Sequence, residues 1–249
     1  MRVLTIPGLA GIILLPLLLL VTTGSVLCQP SSGSNTSQTL FHHYDKLFQV
    51  DSRLISGNFY QDPTPKSTDG HPFFGGDQWN NGSVVIRGVE FDSLQLRYDI
   101  YTNELVINTL NFNNTALQVA LNKLNISEFT MSGMKFIPFP SGEVKANSQF
   151  SEVLSEGSAT LLLVQTKSLI VPANGNSLFS FDTYSRMYLL VNKELRVYKA
   201  KRTLFQAFPE YKSQLQNYIR TEKLKFRSGK FDSHARLVNY CNTLLTVKK

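Results

Sequence analysis

Leu94-Gln95-Leu96-Arg97-Tyr98-Asp99-Ile100-Tyr101 alternates without a break. In an extended chain Leu94, Leu96, Tyr98 and Ile100 fall on one side, and Gln95, Arg97, Asp99 and Tyr101 on the other. One apolar and one polar side at a period of two describe a strand half-buried in an antiparallel sheet. The same rhythm starts near Ser83 and recurs down the chain, broken by short polar pairs. Arg87-Gly88, Thr102-Asn103, Ser132-Gly133, Glu156-Gly157 and Asn192-Lys193 each separate two such segments. These residue types tolerate tight or left-handed geometry, so each pair reads as a hairpin turn. Roughly six to ten strands at this spacing predict a mainly β fold: an antiparallel sheet, roll or small barrel rather than parallel β/α units. Residues 62–76, rich in Pro and Gly, read as loop. The Asn-rich run 108–125 is too polar for a central strand throughout and is expected to contain a long exposed connection.

After Arg202 the apolar period changes to that of a helix. Thr203 is placed to cap a turn reaching Phe208, and Pro209 suits a first helical position. Tyr211, Leu215, Tyr218 and Ile219 then share a face. Asp232 is a candidate N-cap for a last helix whose stripe is Leu237, Val238, Cys241, Leu244 and Leu245. The fold therefore ends in a pair of amphipathic helices packed on the sheet. Leu40, Phe41, Tyr44, Leu47 and Phe48, also at helical spacing, predict a short helix ahead of the first strand.

Working outward to the N-terminus, Arg2 precedes an apolar run from Ile12 to Val21, followed by Thr22, Thr23, Gly24 and Ser25. A positive start, a core short for a bilayer and a small-residue exit describe a secretory signal peptide over residues 1–28. A lipid anchor at Cys28 is not expected, because a lipobox needs a small residue where Leu27 stands. Residues 29–39 are Ser, Gly, Asn and Gln-rich and read as a flexible linker. The organisation expected is signal peptide 1–28, linker 29–39, β domain 40–199 and basic helical tail 200–249. No second apolar run is long enough for a membrane-spanning helix. With Cys28 removed, Cys241 stands alone and no intrachain disulfide is expected.

Charge divides unevenly. Residues 29–192 carry 10 basic and 14 acidic side chains, while residues 193–249 carry 14 basic and 4 acidic, a net of +10 in the final stretch. The basic residues lie mostly off the apolar helical stripes, so they are expected on the surface. Such a surface suits an anionic lipid, a glycan or an acidic envelope protein, with Lys223, Lys225 and Arg227 as candidate contacts. Export argues against nucleic acid as the partner.

Several stretches also resemble uncharacterised exported proteins of Gram-negative bacteria, periplasmic or outer-membrane-associated and β-rich. They are Arg53-Leu54-Ile55-Ser56-Gly57-Asn58-Phe59-Tyr60, Gly70-His71-Pro72-Phe73-Phe74, Trp79-Asn80-Asn81-Gly82-Ser83-Val84, Leu96 to Tyr101, and Phe208 to Lys212 through Asn239-Tyr240-Cys241-Asn242. The resemblance implies an exported location and assigns no activity, ligand or catalytic residue.

Motifs for chemistry are sparse. There is no Gly-x-Ser-x-Gly elbow, no His-Glu-x-x-His frame and no cysteine pair for redox work. Cys241 lies on an apolar helical stripe, as an inert buried thiol would. His42 and His43 are adjacent, so on a helix they point apart and make a poor metal pair. No cofactor or metal site is expected. Arg97 and Asp99 share a strand side, two residues apart. They read either as polar anchors in a ligand groove with Trp79 as a stacking surface, or as a structural ion pair on the solvent side. The function expected is a non-enzymatic envelope protein that binds an anionic surface, glycan or protein. The alternatives are a carrier of a lipid or other hydrophobic ligand in a curved sheet, and a hydrolase using Asp99 with a second carboxylate.

Overall fold

A computed structural model describes residues 54, 57–110, 114–140, 149–171, 178–227 and 229–247. The signal peptide, the linker and the short helix expected over residues 40–48 lie outside them. Strand accounts for 47% of the structure and helix for 22%, which makes the protein mainly β, as the alternation predicts.

Twelve strands form one open sheet: β1 (Asn58–Phe59), β2 (Thr68–Asp69), β3 (Asn80–Ile86), β4 (Val89–Asp99), β5 (Glu104–Leu110), β6 (Ala116–Ala120), β7 (Ile126–Met131), β8 (Met134–Pro138), β9 (Phe150–Ser155), β10 (Ala159–Ile170), β11 (Phe179–Val191) and β12 (Glu194–Val197). Their order is β1-β6-β5-β4-β3-β7-β8-β9-β10-β11-β12, with β2 pairing parallel to β11 and every other contact antiparallel. Three of the expected turns have both central residues at positive φ: Arg87 and Gly88 at 51° and 78°, Ser132 and Gly133 at 50° and 77°, Asn192 and Lys193 at 49° and 66°. That is the hand of two-residue hairpin turns whose twist matches their strands.

The polar run 108–125 contains one strand of five residues near the sheet edge, β6, paired with β5 from Val106↔Ala120 to Leu110↔Ala116. Val119 is buried and Leu117 half-buried on one side, while Ala116 and Gln118 face water. Two inward side chains suffice near a sheet edge, where the other face needs no apolar cover.

The sheet curls until β4 approaches β9 and β10. The Phe150 N–H donates to the Tyr98 hydroxyl at 3.2 Å, and the Lys167 N–H to the Ile100 carbonyl at 3.0 Å. The enclosed space is filled with rings. Phe129 and Phe136 stack at 4.6 Å, and Tyr98 meets Phe129, Phe136 and Phe150 edge-on at 5.6–5.9 Å. Edge-to-face pairs of this kind add about 0.5–1.5 kcal/mol each beyond area burial. Leu96, Tyr98 and Ile100 are buried in this first core, and Leu94 packs half-buried against it. Gly82 is needed in β3 for a different reason: a Cβ there would collide with the Thr130 carbonyl of β7.

A second core lies between β10, β11 and the helices α1 (Lys201–Ala207), α2 (Lys212–Thr221) and α3 (Asp232–Val247). Leu161 and Leu189 of the sheet meet Leu204, Phe208, Tyr211, Leu215, Leu237, Val238 and Cys241. Thr203 sits inside the first turn of α1 rather than ahead of it, accepting from the Lys199 N–H at 2.7 Å. Pro209 opens a short 3-10 turn leading into α2. None of the described helices is long and apolar enough to cross a membrane.

Candidate functional site

Arg97 and Asp99 are both engaged at the end of β4, each with its own partners: Arg97 meets Trp79 and Phe73, and Asp99 holds Tyr60 and the turn into β5. The loop ahead of β3 takes the place of a neighbouring strand there: Phe74 N–H donates to the Tyr98 carbonyl at 2.8 Å and Ile100 N–H to the Pro72 carbonyl at 3.1 Å. This loop brings Phe73 and Trp79 over β4. The Arg97 guanidinium carbon lies 4.3 Å from the Trp79 ring centroid and 4.9 Å from that of Phe73, so the cation sits against two aromatic faces. Its Nε is buried without a hydrogen-bond partner. Ring contact offsets part of that cost, because Arg is weakly hydrated and stacks well.

Asp99 is fully buried although it belongs to the polar phase of the strand. Its Oδ1 accepts the N–H groups of Tyr101 and Thr102, both at 2.8 Å, and its Oδ2 accepts the Tyr60 hydroxyl at 2.8 Å. The carboxylate thus closes the turn into β5 and holds Tyr60. Burial, then the nearby Asp99 charge, pushes the Tyr60 phenol well above its ordinary range.

Lys167 of β10 completes the junction. Its Nζ donates to the His71 carbonyl at 2.6 Å and the Phe73 carbonyl at 3.0 Å, clamping the loop. Burial lowers the Lys167 pKa, with Asp99 acting against that shift. Burial, and then the Lys167 charge, lowers that of His71. Tyr60 and Lys167 carry no local signal for this place, since each reaches it through a contact spanning 39 to 96 positions. His71, ahead of Pro72 in the loop, uses its ring to cap a backbone group: its Nδ1 accepts the Phe73 N–H at 3.2 Å.

The basic candidates occupy another part of the molecule. Lys223 is the left-handed residue after α2, at φ 50°. Leu224 N–H donates to the Ile219 carbonyl at 3.0 Å and Lys223 N–H to the Arg220 carbonyl at 3.3 Å, the bond pattern of a Schellman helix end. Beyond the helix end, burial alternates: Leu224 is buried, Phe226 half-buried, and Lys223, Lys225 and Arg227 are exposed. The apolar alternates anchor the segment in the second core and leave the cations in water. Nearby Glu222 is engaged by Arg236, so it does little to neutralise the patch.

Among the described residues no three His, Cys, Asp or Glu side chains gather as a metal ion would require. Cys241 is buried on α3, and burial pushes its thiol up to about 12, far from the range of a nucleophile at neutral pH. No family model, no curated protein and no solved structure matches this chain.

Proposed function

We propose that this protein is a non-enzymatic cell-envelope module that binds an anionic lipid surface through the connection between α2 and α3. The observation that carries the reading is the alternation at residues 223–227, where Leu224 and Phe226 turn inward and Lys223, Lys225 and Arg227 face water. A charged array fixed by buried neighbours meets a surface with little ordering cost, unlike a floppy basic tail. Each cation near an anionic bilayer contributes about 1 kcal/mol.

Two features weigh against the alternatives. The interior of the curled sheet, where a carried acyl chain would sit, is occupied by Tyr98, Phe129, Phe136 and Phe150. Both Asp99 oxygens are engaged by Tyr60 and backbone N–H groups, an arrangement suited to holding a turn rather than activating water.

The test is co-sedimentation with neutral vesicles and with vesicles containing anionic lipid. The unaltered chain is compared with the combined Lys223→Ser, Lys225→Ser, Arg227→Ser variant. Removing the whole tail would be uninformative, since its apolar residues build the second core. Binding to anionic vesicles should fall with salt and weaken on the order of a hundredfold in the variant. Equal binding to neutral vesicles, or indifference to ionic strength, would overturn the reading. Salt-sensitive binding to an acidic glycan or envelope protein without vesicle binding would replace the lipid with that partner.

A further inference from the structure

The outer edge of β11 is covered at its two ends and open between them. At one end β2 pairs with Phe179 and Ser180; at the other, β12 pairs with Tyr188 to Val191. Over residues 181–186 no strand among the described residues lies on that side, while Met187 is already met by Tyr198. Backbone direction along the edge is fixed by two bonds: Phe179 N–H donates to the Ser67 carbonyl, and Tyr198 N–H donates to the Met187 carbonyl. Both involve odd-numbered residues, and strand groups alternate sides. The N–H and C=O of Thr183 and Ser185 therefore point into the gap. On the side of β11 away from the gap, over β10, a groove of about 470 Å³ is lined by Gln149, Val164, Thr166, Tyr184, Arg186 and Tyr188. The even-numbered side chains Asp182, Tyr184 and Arg186 are exposed along this face, and neither charge has an ion-pair partner among the described residues.

We infer that this gap is a strand-addition site for a short extended peptide carrying an acidic, an apolar and a basic residue at alternate positions. The guest runs antiparallel to β11, continuing the line of β12, with its acid opposite Arg186, its apolar residue opposite Tyr184 and its base opposite Asp182. Main-chain bonds to Thr183 and Ser185 supply affinity, and the alternate side chains supply selectivity. The length of the gap decides against a second copy of this chain. At about 3.3 Å per residue the opening spans roughly 20 Å, whereas β11 is a continuous strand of 13 residues that would run into β2 or β12. The flanking strands thus guard the edge against self-association while leaving room for a guest.

The probe is a fluorescein-labelled peptide, Glu-Val-Ile-Val-Lys-Thr, which spans residues 186 to 181 in this register, titrated with the full chain and followed by anisotropy. Saturable binding is expected. Methylating the two valine amide nitrogens, which face β11 in this register, should weaken it about tenfold or more. The paired exchange Asp182→Lys, Arg186→Glu should shift preference to the peptide with its Glu and Lys exchanged. The methylated peptide tests the unaltered chain, so the result does not depend on a variant folding. Three results would each overturn the proposal: no binding at about 1 mM peptide, equal binding of the methylated peptide, or a chain that is dimeric in solution and rendered monomeric by Thr183→Pro.

Discussion

The side-chain amide of Asn242 on α3 pairs with the backbone of Ala159 on β10 as a neighbouring strand would. Its Oδ1 accepts the Ala159 N–H at 2.8 Å and its Nδ2 donates to the Ala159 carbonyl at 2.8 Å. Ala159 is fully buried, so these bonds satisfy two main-chain groups that water does not reach. One turn earlier, Asn239 accepts the Ser155 hydroxyl at 2.7 Å, fastening the same helix to β9. Asn242→Ala orphans both groups of Ala159 and should cost on the order of 2–4 kcal/mol. Asn242→Asp keeps an acceptor but turns a carboxylate toward the Ala159 carbonyl, so it should lose at least as much. Urea midpoints at constant slope check both; a midpoint unmoved in either variant would remove the clasp from the account.

What the sequence disclosed and what it hid divide along the distance over which each feature is determined. The alternation of Leu94 to Tyr101 and the paired turn residues are local, and strand type and three hairpin turns follow from them. Asp99 has the same local signal as Arg97, yet one is fully buried and the other is stacked beneath an indole. The loop at residues 71–79 makes that difference from outside the strand. Strand β6 was hidden because an edge-proximal strand needs only Leu117 and Val119 turned inward. The clasp at Asn242 was hidden by identity: an Asn on a helix beside Cys241 looks like surface until β10 is laid against it. The cations at 223, 225 and 227 stood out through charge alone, while the apolar alternates that hold them are apparent only with the second core in place.

Trp79 is the one tryptophan in the chain, so its fluorescence reports the loop against β4. Arg97→Ala removes the cation from beneath the ring and one of the two side chains filling that space. The indole should become wetter, shifting its emission to longer wavelength, and stability should fall by about 1–2 kcal/mol from lost cation–π contact and packing. Arg97→Lys should recover only part of the loss, because an ammonium lacks the planar face that stacks between Phe73 and Trp79. An unchanged emission maximum in Arg97→Ala would mean that the indole does not depend on the guanidinium.

His234 predicts a pH dependence on the acid side of neutrality. The ring is buried on α3 against Tyr198 and Phe226, at 5.5 and 4.9 Å, and its Nδ1 has no hydrogen-bond partner. Burial lowers its pKa below the ordinary 6.5. The unfolded chain thus takes up a proton before the folded one does. Stability is fully present above 6.5 and declines as the pH falls from there through the folded value. His71, lowered chiefly by burial, acts with the same sign. His234→Phe keeps an aromatic body without the titration and should flatten part of the fall in urea midpoint between neutral and mildly acid pH. The same slope in the variant and the unaltered chain would assign the dependence to His71 or the carboxylates.

Lys223 separates stability from binding. Its φ of 50° lies in the left-handed region, where a side chain costs roughly 1 kcal/mol that glycine does not incur. Glycine is the residue most often found at this position of a Schellman end, and the bonds from Lys223 and Leu224 back to α2 use only backbone atoms. Lys223→Gly should therefore leave the fold intact and raise stability by up to about 1 kcal/mol. The same change removes a cation from the exposed array, so affinity for anionic vesicles should fall about fivefold, the share of one charge near such a surface. A variant that is more stable and binds less would show a cation held at this turn at the expense of the fold. A variant that is more stable and binds equally well would take Lys223 out of the proposed surface and leave Lys225 and Arg227 to carry it.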